Sequence, residues 1–505
     1  MMLFEELMMD SNTLMKFKIY KKIYNLKQTT LSIAQLAAAF DLNYQQALII
    51  LAEINQEITD YSKRQPSILK KAGKINTASL IVSIDEYRYL LLKKSIPFMF
   101  ILYFLNHEQP TIKDFCSRHY VSQSTVSRKM GPLKKHVKRF NLRFSYREAN
   151  LIGDERIVRV ALFNTLWLGT RGTVWPFKNV KKSEAVALVQ SFSEYFPSSR
   201  TYLGAQELSY FAAIFLSRIR KKLFVTYDPK YDFLMKDNPY YDFERLNKVL
   251  GPVKALPPEK HKAESSFIFF LAHYAPFYTL ESDPALQQTL TDFLRRENSI
   301  QRFVDTFITY MQKEVFYEAP ELLDQSLLKG NLFNVFFVFH VLQQPFPSLQ
   351  GLITQPEKSQ QQMEILLEQK MRQFLIQHLN HDTFPYLPKI QANLIQSLKN
   401  VLLPYLDQIK HSDNLKIGVA FEHEFLLVRN LYQFLNRLGF VDAYPYIDEL
   451  TTDYDLVISS SLLPLKTYPD LPLYFMDLSY GDEELAYLYV RLNKLFREKN
   501  AASGY

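Results

Sequence analysis

Thr111-Ile-Lys-Asp-Phe-Cys-Ser-Arg-His-Tyr-Val-Ser-Gln-Ser-Thr-Val-Ser-Arg-Lys-Met130 decides how the first third of the chain reads. Ile112, Phe115 and Cys116 fall at i, i+3, i+4 spacing, the apolar stripe of a short helix. Val121 is the expected buried residue of a turn, and Ser122 the N-cap of a second helix. With Val126 inward, Gln123, Ser124, Thr125, Ser127, Arg128 and Lys129 face out. Short polar and basic side chains of this kind suit base edges and phosphates in a major groove. The pattern is a helix-turn-helix.

Gly131-Pro132 interrupts it, because an internal proline removes a hydrogen bond and clashes with the preceding turn. The recognition helix is therefore expected to stop or kink near Met130 and resume at Leu133. The alternation Asn141-Leu-Arg-Phe-Ser-Tyr-Arg147, followed by Ile152-Gly-Asp154, predicts a hairpin wing. Working back, Leu31–Leu48 repeats the two-helix theme, with an alanine-rich first helix and Asn43 as N-cap. Gln46, three residues on, completes a capping box, and Tyr44, Gln45 and Gln46 face outward.

Charge singles out the same region. Residues 1–160 hold 25 Lys and Arg against 14 Asp and Glu, whereas the other 345 residues hold 35 against 38. Phe115–Arg147 carries nine basic residues, among them Lys134, Lys135, Arg143 and Arg147, and no acid. A solvated helix face normally mixes signs, so this run reads as the footprint of a polyanion, here double-stranded DNA.

The remainder narrows the class. Thirteen glycines in 505 residues leave few nests or phosphate loops, and the apolar share of 47% fits a globular chain. No nucleotide-binding loop, zinc-protease helix or nucleophile elbow is present, so neither an enzyme nor a cofactor is expected. The lone Cys116 excludes a disulfide framework and a cysteine zinc cluster, and no metal site is expected. The start shows no targeting pattern and no apolar run is long enough to span a bilayer, which predicts a cytoplasmic protein away from membranes.

From Lys182 to Lys410 amphipathic helical periodicity dominates, enough for two bundles. His273 and His340 sit in aromatic, helical stretches, one per bundle. Each is either a hydrogen-bonded core histidine or a phosphate-accepting imidazole. After Asp413 strands alternate with helices, predicting a small, mainly parallel sheet. The loop after its first strand is Phe421-Glu-His-Glu424, which is no anion-binding nest.

The expected fold is mainly α and multi-domain, with boundaries at 1–92, 93–178, 179–297, 298–410 and 411–505. This order, together with Thr111–Lys129, resembles the Mga/AtxA family of transcriptional regulators of Gram-positive bacteria, among them virulence regulators. The resemblance implies two helix-turn-helix domains, two bundles like the regulation domains of the phosphotransferase system, and a C-terminal module like the EIIB component of sugar permeases. It implies DNA binding through the first third, homodimers or larger homo-oligomers through the C-terminal parts, and the phosphocarrier protein as a possible partner. Regulation domains usually carry a histidine on an early helix, and Gln206–Lys222 has none. The last module also lacks a cysteine nucleophile. That leaves as phosphorylation candidates His273 first, with Arg218, Arg220, Lys221 and Lys222 to face it, and His340 second, with no comparable cluster; a transcription activator is the expected function. Two alternatives are a phosphotransferase-linked sensor and an RNA-binding antiterminator.

Overall fold

The computed structural model describes residues 3–26, 31–63, 68–70, 73–77, 80–192, 202–231, 244, 248, 250, 253, 255–271, 278–295, 297–353, 362–378, 385–406, 408, 414–421, 425–447 and 454–502. The first unit runs α1 (Phe4–Met8), α2 (Ser11–Asn25), β1 (Leu31–Ser32), α3 (Ile33–Ala39), α4 (Tyr44–Ser62), β2 (Leu69–Lys70) and β3 (Lys74–Ile75). Local chemistry sets its helices. Ser32 and Asn43 cap α3 and α4, and Gln35 and Gln46 close a capping box at each. Ala47, Ile50, Leu51, Ile54 and Ile58 make a buried stripe along α4. The three short strands pair antiparallel in the order β1-β3-β2, so this unit carries a wing that its sequence does not announce.

The second unit comprises α5 (Ile84–Leu92), α6 (Ile96–Asn106), α7 (Ile112–His119), α8 (Gln123–Lys129), α9 (Gly131–Lys138), β4 (Arg143–Ser145), β5 (Asn150–Ile152) and α10 (Glu155–Thr170). Two expectations shift slightly. Helix α9 begins at Gly131 rather than Leu133, because Pro132 sits in the first turn, where a missing N–H costs nothing. The returning wing strand starts at Asn150, pairing Ser145 with Asn150 and Arg143 with Ile152.

Then come α11 (Lys182–Phe192), α12 (Tyr202–Arg220), α13 (His261–Leu271), α14 (Pro284–Leu294), α15 (Ser299–Glu314), α16 (Ser326–Leu342), α17 (Gln350–Ile353), α18 (Gln362–His378) and α19 (Leu387–Leu406). One apolar core runs without a break from Phe4 to Leu406. Its middle is aromatic: Phe293 stacks on Phe333 at 4.7 Å, and Phe303 meets Phe336 edge-on at 4.3 Å. Beneath it Arg159 is fully buried, held by Glu264 at 2.6 and 2.9 Å, Glu155 at 3.0 Å and the Leu223 carbonyl at 3.0 Å.

The last module has its own core of Leu415, Ile417, Leu431, Leu456, Ile458, Leu488 and neighbours. It comprises β6 (Leu415–Ala420), α20 (Phe425–Asn436), β7 (Val441–Pro445), β8 (Leu456–Ser459), α21 (Leu463–Thr467), β9 (Leu473–Phe475) and α22 (Asp482–Ala502). All neighbouring strands are parallel, in the order β7-β6-β8-β9. No single helix among the described residues is long and apolar enough to cross a membrane; the apolar pair α5–α6 is bent by 81°.

Candidate nucleic-acid interface

Helices α7 and α8 form the two-helix unit that Thr111–Met130 predicts. Thr111 accepts from the Asp114 N–H at 3.2 Å and opens α7, whose Ile112 and Phe115 are buried. Phe115 packs edge-on against Phe100 at 5.1 Å, fixing the unit to α6. Tyr120 ends α7 in the left-handed region at φ 53°, and its N–H returns to the Cys116 carbonyl. Val121 is half-buried rather than buried, and Ser122 accepts from the Thr125 N–H at 3.1 Å to start α8.

Val126 and Met130 are the buried residues of α8 and its end, which leaves Gln123, Ser124, Ser127 and Arg128 exposed, with Thr125 and Lys129 half-exposed. Lys134 joins three elements: its amine donates to Ser127 Oγ at 3.1 Å and lies 4.4 Å from the centre of the Tyr146 ring in the wing turn. Lys135, Arg143 and Arg147 are exposed around it. Among the described residues the acids in ion-pair range of this cationic run are Asp114, 2.7 Å from Arg118, and Asp10, 3.1 Å from Lys129. Arg128, Lys134, Lys135, Arg143 and Arg147 have no acid partner there. Such cations are solvated, and a polyanion is what would neutralise them.

In the first unit Tyr44, Gln45 and Gln46 are exposed at the start of α4, as predicted. Its acids are turned elsewhere: Glu57 takes Lys16 at 2.8 Å and the Tyr87 hydroxyl at 2.7 Å, tying α4 to α2 and α5. Two cations escape a reading of the sequence alone. Lys70 and Lys74 stand directly opposite across β2 and β3, and Lys74 is exposed with no described acid paired to it. Like charges in register repel, so this wing tip also suits an anionic partner. The tip lies beside Tyr44, whose hydroxyl would be 3.1 Å from a Cβ on Gly73. A run of Lys70-Lys71 followed by Lys74 was the available signal.

The histidines fare differently. His273 lies outside the described residues. His340, near the end of α16, is half-buried, its Nδ1 3.3 Å from the Tyr386 hydroxyl, beside a small apolar cavity lined by Phe303, Phe336 and Ile390. Burial holds its imidazole below the ordinary value, and Lys230 lowers it further against the opposing Asp228. The sequence shows no cation for His340; the fold supplies Lys230, itself 2.8 Å from Asp228. Conversely, the cations expected to face His273 are largely spent. Arg218 is buried on Glu155 and Asn150, Arg220 is bound to Glu184 and the Asn179 carbonyl, and the Lys221 amine donates to the Phe104 carbonyl. Burial, then Arg218, brings Lys221 down to about 8.

The loop after α16 reaches the wing. Gln344 donates to Asp154 Oδ2 at 3.1 Å and accepts from Asn141 Nδ2 at 3.1 Å. Asp154 also holds Arg156, which bridges to Asp228 at 3.1 Å. No group of His, Cys, Asp or Glu able to hold a metal occurs among the described residues.

Comparison with known proteins converges on the same elements. Residues 81–166 match the Mga helix-turn-helix domain, the segment that begins just before α5 and ends within α10. This segment is a helix-turn-helix of the Mga type, and the chain is similar to regulators of capsule synthesis. It is 23% identical over 172 residues to the capsule synthesis positive regulator AcpB of Bacillus anthracis, covering 33% of this chain and 36% of AcpB. It is 19% identical over 268 residues to the capsule synthesis positive regulator AcpA of the same organism, covering 52% and 53%. The chain thus spans between about a third and a half of these relatives.

Proposed function

We propose that the chain is a DNA-binding transcription regulator of the Mga/AtxA type, acting as an activator in the cytoplasm. The observation that carries this reading is the exposed cationic face of α8, α9 and the β4–β5 wing, whose cations other than Lys129 lack acid partners among the described residues. Gln123, Ser124, Thr125 and Ser127 would read base edges, while Arg128, Lys129, Lys134, Lys135, Arg143 and Arg147 hold phosphates. Tyr44, Gln45 and Gln46 would contribute from the first unit. AcpA and AcpB, each named a positive regulator of capsule synthesis, favour activation.

A titration with duplex DNA and RNA of equal length tests the reading. With about six phosphates neutralised, log K falls against log salt at a slope near −5. Replacing Arg128 and Lys129 by Ala weakens duplex binding and flattens the slope. Unchanged affinity, or a preference for RNA, overturns the assignment.

Tuning through the regulation-domain-like bundles (179–297 and 298–410) is the second part of the proposal. We take His340 as the phosphate acceptor, since Lys230, paired with Asp228 at 2.8 Å, could turn from it to the added charge. The Gln344 contacts with Asn141 and Asp154 give that helix end a physical link to the wing. Acid-labile label from phosphoenolpyruvate and the phosphocarrier protein, lost in His340→Ala but kept in His273→Ala, is the expected result.

The C-terminal module, EIIB-like as the family resemblance implies, would hold two or more copies together. Phe475, Leu478, Tyr487 and Val490 are exposed on it, apolar side chains that a second copy would cover. Removing residues 413–505 shifts the protein toward monomer in sedimentation; an unaltered assembly state refutes the role.

A further inference from the structure

We infer that Tyr120 is a DNA-backbone contact, its phenol donating to a phosphate oxygen where the duplex meets the turn between α7 and α8. This rests on the reading of α7–α8 as a duplex reader and adds a residue that the cationic pattern does not reveal.

The case begins with the backbone. Tyr120 sits at φ 53°, ψ 42°, a conformation that side chains with a Cβ adopt reluctantly and that helix-turn-helix turns commonly give to glycine. Other described helices of this chain also end in the left-handed region, at Lys63, Arg171 and Gln343, and there the residue is long and hydrophilic. Tyr120 is the one aromatic among the described non-glycine residues with positive φ.

No contact among the described residues holds the side chain. The Tyr120 side chain is 96% exposed, more than any other large apolar side chain described, where the next, Tyr202, is 81% exposed. Among the described residues it makes no hydrogen bond and no ring contact, whereas Tyr87 and Tyr103 of the same unit bury their rings. A strained backbone beneath a large, wholly solvated ring gains the folded monomer nothing, so the residue fits a role outside the monomer.

Position names the partner. Tyr120 lies two residues after Arg118 and three before Gln123, between the exposed end of α7 and the start of the recognition helix. When a recognition helix enters the major groove, this turn passes close to the sugar-phosphate rim. Tyrosine hydroxyls are regular donors to phosphate there, and the ring can lie along the deoxyribose. The contact carries no sequence information and, being uncharged, releases no counterion.

The test uses the full chain, a random-sequence duplex and two variants. Tyr120→Gly relieves the backbone and raises Tm, yet weakens duplex binding about three- to tenfold, the worth of a single hydrogen bond. Its salt slope equals that of the wild type, unlike the slope of the Arg128→Ala, Lys129→Ala double variant. Tyr120→Phe keeps the ring and the strain and loses most of the same affinity. Wild-type affinity in both tyrosine variants, while the double variant binds weakly, overturns the inference and leaves the DNA-binding reading standing. A wild-type chain that binds no duplex overturns both.

Discussion

Arg159 and Glu264 show how much one pair of residues can hold. Both are almost wholly buried, on α10 and α13, and Glu264 also accepts from the Val225 N–H at 3.0 Å. Phe215 and Phe267 flank the guanidinium at 5.4 and 5.6 Å. Desolvating two charges is costly, and the pair is tolerated because every group finds a partner. Removing one partner strands the other, so Arg159→Ala should destabilise the fold by roughly 3–5 kcal/mol. A thermal melt of the full chain checks it, and replacing Glu264 by Leu in the same chain should recover part of the loss. A melt unchanged by Arg159→Ala would remove this pair from the account. Neither residue is conspicuous in the sequence, because 105 positions separate them and only packing brings them together.

At the scale of elements, the two wings differ in how legible they are. The β4–β5 hairpin shows in Asn141–Arg147 because polar and apolar residues alternate there. The first wing has strands of two residues each, too short for any period to register, and its β1 partner lies more than 35 residues before β2. Only pairing reveals that Lys70 and Lys74 face each other. If this wing meets a second stretch of phosphates, changing both lysines to Ala should flatten the salt slope by close to two. Filter binding over a salt series measures it. A slope equal to that of the wild type would confine the first unit to Tyr44, Gln45 and Gln46. Helix boundaries were more legible: Ser122 and Asn43 cap where the sequence puts them, since a cap depends on residues within one turn.

For the whole molecule, burial couples stability to pH. His119, His136 and His340 are each held below their ordinary 6.5, chiefly by burial, and His136 falls to about 4, with Arg139 adding to the effect. An unfolded chain takes up protons near 6.5 that these folded imidazoles refuse. Their contribution is therefore complete above 6.5 and is lost as pH falls toward about 4. Tm should drop through that window, and His136→Gln should make the drop shallower. A Tm independent of pH between those values would contradict the burial of these rings.

What the sequence by itself determined is local or compositional. Caps, apolar periods, the strand-helix alternation after Asp413 and the acid-free run Phe115–Arg147 each depend on neighbours within a few residues. They sufficed for a mainly helical chain with a helix-turn-helix and a parallel α/β end. The tertiary structure alone decided which charges are spent and which are free. Arg218 and Arg220 look like a ready cation cluster in the sequence, yet the fold binds them to Glu155 and Glu184. Lys230, more than 100 positions away, is brought to His340. Gln344 is likewise brought to Asn141 across 203 positions. An ion pair forms wherever close packing places opposite charges, and no short-range pattern records where two distant helices cross.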